Sequence, residues 1–150
     1  MRYRWLIAAL LWPASAVAQS KPWDSLEQDG ARYAGTIDAM QNAVEFVCPV
    51  TGAPKLIVQS PQFRVSVPDD SRYTLTFVTE SGREEITAVA LDAELTFEAA
   101  DLNGQIMFQR LAEHIAASQS FTVAMSPFGW KGRFTGEGAA EALKPMIQGC

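Results

Sequence analysis

Apolar and polar residues alternate along most of the chain from residue 36 onward, and that period of two predicts β-strands. Thr36 to Met40 alternates, and so does Ala43 to Cys48, with Val44 and Phe46 on one face and Glu45 and Val47 on the other. Pro49 and the Thr51-Gly52-Ala53-Pro54 cluster end that strand. Lys55 to Gln59 is a short β-branched run, and Gln62 to Val67 alternates again, with Phe63, Val65 and Val67 expected inward. After the turn residues Pro68 to Ser71 come three runs with close connections: Arg72 to Thr79, Glu84 to Leu91 and Glu94 to Phe97. Such spacing reads as an antiparallel meander.

The period then changes. Between Asn103 and Ala117 the apolar positions Ile106, Met107, Phe108, Leu111 and Ile115 recur at three and four residues, which predicts one amphipathic helix capped by Asp101 or Asn103. Phe121 to Met125 and Trp130 to Thr135 return to alternation around a Ser126-Pro127-Phe128-Gly129 turn. Ala139 to Ile147 predicts a short helix that Pro145 must bend or end, since proline has no amide donor. About seven to eight strands and two helices make the class mainly β: an antiparallel β-sandwich or a curled sheet, with the amphipathic helix packed near an edge. Residues 19 to 33 read as a lead-in, with Trp23 as an anchor onto the body.

The first eighteen residues carry a different pattern. Arg2 and Arg4 precede the apolar run Trp5 to Trp12, Pro13 breaks it, and Ala16-Val17-Ala18 supplies small residues for cleavage before Gln19. This is the arrangement of a secretory signal peptide. The run is short of the roughly 20 residues that cross a bilayer. A single domain, 19–150, is then expected in the periplasm or outside the cell. The chain holds 12 basic and 17 acidic residues, and loss of Arg2 and Arg4 leaves 10 against 17, a formal charge of −7. That balance argues against nucleic acid and anionic membranes as partners. Two cysteines in an exported chain suggest a Cys48–Cys150 disulfide, with free thiols or an intermolecular bond as the alternatives. In a chain-entropy model a loop of about 100 residues is worth on the order of 4–5 kcal/mol.

Candidate chemistry is sparse. His114, the sole histidine, sits beside Arg110, Leu111 and Ala117 at helical spacing, with no motif marking a nucleophile or carboxylate partner. One histidine and two cysteines do not make a zinc site, and no cofactor or metal is expected. Asp69-Asp70 fits a turn better than a calcium loop. Glu84 and Glu85 together with Glu94 and Glu98 could offer a carboxylate pair for glycoside chemistry, but Glu84 and Glu85, adjacent on a strand, face opposite ways and cannot share a site, and solvated strand edges explain them better. Trp130, Lys131 and Arg133 form the most suggestive short segment: the two cations share one face of a strand and could touch an acidic partner, while Trp130, Gly132 and Phe134 share the other. Gly136-Glu137-Gly138 opens a helix but sets an acid where a phosphate would bind.

Phe134, Gly136, Ala140 and Leu143, with Cys150 beyond, form an F-x-G-x-x-x-A-x-x-L pattern that resembles the end of the invasion-associated locus B-like family of small exported α-proteobacterial proteins. Leu111 and the strand Phe121 to Met125 sit where that pattern expects them. The family's W-x-V-x-C segment is met in part by Val44 to Cys48, where Phe46 or Val44 stands in place of tryptophan. The resemblance covers the last third of the chain and the strand before Cys48. It implies a periplasmic β-sandwich without known catalytic residues and an accessory role at the cell envelope. The function expected is a non-enzymatic, protein-binding module of the envelope. An inhibitor or immunity-type protein binding a basic partner, or a small hydrolase using His114 as base, are the alternatives.

Overall fold

A computed structural model describes residues 21–150; the expected export segment 1–18 lies outside the described residues. The chain forms nine strands: β1 (Asp24–Gln28), β2 (Ala31–Ile37), β3 (Ala43–Cys48), β4 (Lys55–Gln59), β5 (Arg72–Thr79), β6 (Gly82–Leu91), β7 (Glu94–Glu98), β8 (Ser120–Ser126) and β9 (Trp130–Thr135). All pair antiparallel in one sheet of order β1-β2-β3-β4-β7-β6-β5-β8-β9, which is not closed by pairing between β1 and β9. The mainly β class, the β5–β6–β7 meander and the bounds of β3, β4 and β9 agree with the alternation in the sequence.

Four helices complete the described fold: α1 (Phe63–Ser66), α2 (Leu102–Ala116), α3 (Ala139–Ala142) and α4 (Lys144–Gln148). Asp101 caps α2 by accepting the Gly104 amide at 2.7 Å. Phe108, Leu111, Ala112 and Ile115 form its buried stripe. The Phe108 ring meets Phe46 of β3 edge-on at 5.1 Å, so α2 covers the inner face of the sheet. Pro145 splits the last helix as expected: α3 ends at Ala142 and α4 starts afresh, with the proline in its first turn where no amide is needed. Cys48, at the end of β3, is bonded to Cys150, with Cα atoms 5.3 Å apart.

Three expectations are corrected. Thr36 to Met40 is not one strand: β2 stops at Ile37, and the Asp38 carboxylate, accepting the Met40 and Asn42 amides, folds residues 38–41 into a turn. Gln62 to Val67 is not a strand. Phe63 enters the core at 1% exposure, Val65 is 90% exposed, and the segment turns as α1. Prolines at 61 and 68 bracket it, and the Ser60 hydroxyl accepts the Gln62 amide, so the backbone bends before a ladder can extend. Residues 24–28 are not a lead-in but the outermost strand, β1, joined to β2 by the Asp29-Gly30 turn, both residues at positive φ (52° and 82°). Asp-Gly is the turn signal for such a two-residue hairpin. Only one apolar residue, Leu26, stood in the strand to report an alternation.

The two margins of the sheet approach each other at Trp23. Its amide donates to the Glu137 carbonyl at 2.8 Å and its indole nitrogen to the Thr135 carbonyl at 2.9 Å. A second tie runs through the turn between β2 and β3. Asp38 accepts the Met40 and Asn42 amides and the Asn42 side-chain nitrogen, at 2.8, 2.9 and 2.7 Å. The Trp130 indole of β9 then donates to Asn42 Oδ1 at 3.3 Å and Ser60 Oγ at 3.2 Å. Buried polar groups of this kind are tolerable because each is paired.

Candidate functional site

Pairing registers fix which side chains share the outer face, away from α2. One row runs Asp24, Gly35, Glu45, Ile57, Thr96 and Val89; the next runs Ile37, Ala43, Gln59, Glu94 and Leu91. Leu26 and Tyr33 stand opposite each other beside the first row. The face is unusually apolar for a surface: Leu26 is 58% exposed, Leu91 56%, Ile37 37% and Val89 37%. Val89 and Leu91 are neighbours on this face at the β6 end and Leu26 and Ile37 lie at the β1–β2 end, with Glu45, Gln59 and Glu94 between the two groups.

A shallow cavity of about 460 Å³ opens over β1 to β3, lined among others by Asp24, Leu26, Tyr33, Ile37 and Glu45. Gly35 forms its floor. A Cβ there would lie 2.9 Å from the Val44 carbonyl oxygen, so the backbones are too close for any other residue and a notch is left between Asp24 and Glu45. Partial burial pushes the Glu45 carboxyl above its ordinary value, and the neighbouring Glu94 carboxylate adds to the effect. Glu94 itself accepts a hydrogen bond from the Gln59 side-chain amide.

The other candidate residues fall in separate places. His114 lies in the last turn of α2, at the opposite face of the sheet. Its Nδ1 is 3.8 Å from Glu84 Oε1, and Arg110 Nε holds that same oxygen at 2.9 Å. Arg110 and Glu84 form an ion pair beside the imidazole, whose Nδ1 is buried without a hydrogen-bond partner; Ser118 Oγ donates instead to the His114 backbone carbonyl at 2.7 Å. Glu85 turns the other way and pairs with Arg83, as adjacent strand residues must. Asp69 accepts the Asp92 amide at 3.0 Å, which is turn chemistry. Trp130 is 4% exposed and packs on Phe63 at 5.1 Å, so of the segment Trp130, Lys131 and Arg133 only the two cations reach solvent.

Three of the four residues of the C-terminal pattern have a packing origin. Phe134 and Leu143 are core residues, and Ala140 is exposed. Gly136 lies so near the Ser118 carbonyl that a Cβ would fall 1.8 Å from its oxygen. Comparison with family models, with curated proteins and with solved structures found no match.

The outer-face site escaped the reading of the sequence because Leu56-Ile57-Val58 and Val89-Ala90-Leu91 are apolar on both faces, and alternation marks only the inward one. The available signal was that continuity: a surface strand is expected to interrupt it with polar residues.

Proposed function

We propose that the protein is an exported, non-enzymatic module of the cell envelope that binds another protein through the outer face of β1–β4, β7 and β6. The observation that carries this reading is that Ile37, Leu91 and Val89 are exposed on the sheet face away from α2, which none of the helices among the described residues covers. Export rests on the charged start, apolar run and small-residue site of residues 1–18, and the disulfide between Cys48 and Cys150 suits an oxidising compartment. Among the described residues no helix is long and apolar enough to cross a membrane. The Glu45–Glu94 pair beside the apolar rows favours a partner that brings a basic group, because a partly desolvated carboxylate gains from a cation at small added cost. The kinship suggested by Phe134, Gly136 and Leu143 belongs to the same proposal.

The test is site-specific photo-crosslinking in intact cells. A crosslinker at Leu91 or Ile37 is expected to trap one envelope protein, and the same group at Glu113, on the exposed side of α2, is expected to trap none. Equal adducts at all three positions, or none at any, would overturn the reading. Amino-terminal sequencing of the exported form is expected to begin at Gln19.

A further inference from the structure

The margin formed by β1 has a property of its own, independent of the outer-face reading. β1 pairs with β2 on one side and with no strand on the other. In a two-residue hairpin the residues flanking the turn, here Gln28 and Ala31, exchange both backbone hydrogen bonds. Parity then directs the amides of Asp24, Leu26 and Gln28 toward β2 and those of Trp23, Ser25 and Glu27 outward. Two observed bonds agree. The Trp23 amide reaches the Glu137 carbonyl at 2.8 Å, and the Ser25 amide, free of the ladder, turns to the carboxylate of Asp24 at 2.8 Å. Glu137 therefore closes the margin at Trp23; beyond it the Ser25 amide is held only by the exposed carboxylate of Asp24, which an incoming strand must displace, and Ser25 and Glu27 have no strand partner on that side among the described residues. All five residues of β1 are exposed.

We propose that this open stretch pairs antiparallel with the same stretch of a second copy of the chain, about a twofold axis through Leu26. Leu26 then opposes Leu26 of the second copy, Asp24 opposes Gln28, and Ser25 opposes Glu27. Each Ser25–Glu27 pair exchanges two backbone hydrogen bonds. The leucines form the close, non-hydrogen-bonded pair, the Gln28 amide can donate to Asp24, and the Ser25 hydroxyl to Glu27. The neighbouring symmetric registers fail. An axis at Glu27 sets two carboxylates face to face. An axis at Ser25 places Glu27 opposite Trp23, where Glu137 already stands. The pairing joins two sheets edge to edge and lays two outer faces side by side. It also brings Glu137 of one copy toward Asp29 of the other, and both copies carry net negative charge, so association tightens as salt screens them.

A pairing of two five-residue strands falls in the class of interfaces below about 1,200 Å², so a weak dimer, populated only at high protein concentration, is expected. Sedimentation equilibrium of the purified protein, from about 10 μM to about 1 mM and at low and moderate salt, reads it directly. Two variants test the register. Ser25→Pro removes an amide that β2 does not use, and Leu26→Arg sets two guanidinium groups against each other. Each is expected to weaken the dimer at least tenfold while far-UV circular dichroism and melting temperature stay as in the parent. Lys131→Glu, on β9 at the far margin, is expected to leave it unchanged. A protein that stays monomeric at the highest concentration, a dimer indifferent to both β1 substitutions, or one broken by Lys131→Glu overturns the proposal.

Discussion

Replacing Asn42 by aspartate swaps one amide nitrogen for an oxygen, and the structure says what that does. Asn42 is 4% exposed and spends both ends of its side chain: Nδ2 donates to Asp38 at 2.7 Å, and Oδ1 accepts from Trp130 at 3.3 Å. In N42D the bond to Trp130 survives, but the donor to Asp38 is gone and two carboxylates meet in a buried site. Loss of a hydrogen bond to a charged group costs about 1.5–3 kcal/mol, and an uncompensated buried charge raises the total to about 3–5 kcal/mol at neutral pH. The pH dependence follows from the same geometry. One carboxyl of the variant pair is held above its unfolded value of about 3.9, so the folded state binds the proton more tightly. The loss is complete above that raised value and is relieved as pH falls toward the unfolded one. Urea unfolding followed by tryptophan fluorescence, at a series of pH values, measures the gap to the parent. N42A, which loses the donor but adds no second charge, is expected to show a smaller gap that narrows less in acid than that of N42D. An N42D protein within about 1 kcal/mol of the parent at neutral pH, or a gap constant with pH, would refute this account of the turn.

Removing the disulfide as C48A/C150A opens a loop whose ends are 102 residues apart, and the chain-entropy model gives a loss of about 4–5 kcal/mol. Calorimetry of the parent with reductant should show the same drop, and a change under about 1 kcal/mol contradicts it. Glu45→Gln should raise the melting temperature at neutral pH. Burial lifts the folded-state value of Glu45, so its burden is full above that value and vanishes in acid, and the gain should fade toward about pH 4. Trp130→Phe strands the acceptors on Asn42 and Ser60 and should cost about 1–3 kcal/mol by urea unfolding. Lys131→Ala and Arg133→Ala, one residue away on either side of Gly132, should each stay within about 0.5 kcal/mol.

Much of the fold was legible because burial on one face forces a period of two. β5, with Leu75 and Phe77 at 0% exposure on either side of Thr76, shows the rule working. α2 was legible for the same reason at its own period, and Pro145 announced the break after α3. Gln62 to Val67 alternates as cleanly as β5, yet its neighbours Pro61 and Pro68 outweighed its pattern, and Val65 went to solvent. β1 was hidden because a margin strand with both faces wet needs no apolar alternation at all. Strand order is the larger gap: parity tells which face a residue takes but not which strand lies beside it, so the rows that gather Ile57, Val89 and Leu91 could not be assembled beforehand. The outer face needed that order. The Cys48–Cys150 pairing did not, because only two cysteines were present.

The order of the sheet also has a bearing on how the chain comes together as it emerges. β1 to β4 can zip up as each follows the last, and so can β5 to β7, because every pairing within those sets is between sequence neighbours. The two sets lock only when Gln59 finds Glu94 and Lys55 finds Glu98. Trp23 must wait longer still, since its indole meets a carbonyl 112 residues further along. Until then the young polypeptide carries a half-built sheet with an unpaired β4 rim and the apolar faces of Phe46 and Leu56 uncovered. A holding chaperone would have most to grip in that interval, and slowing the arrival of residues 94–135 should lengthen it.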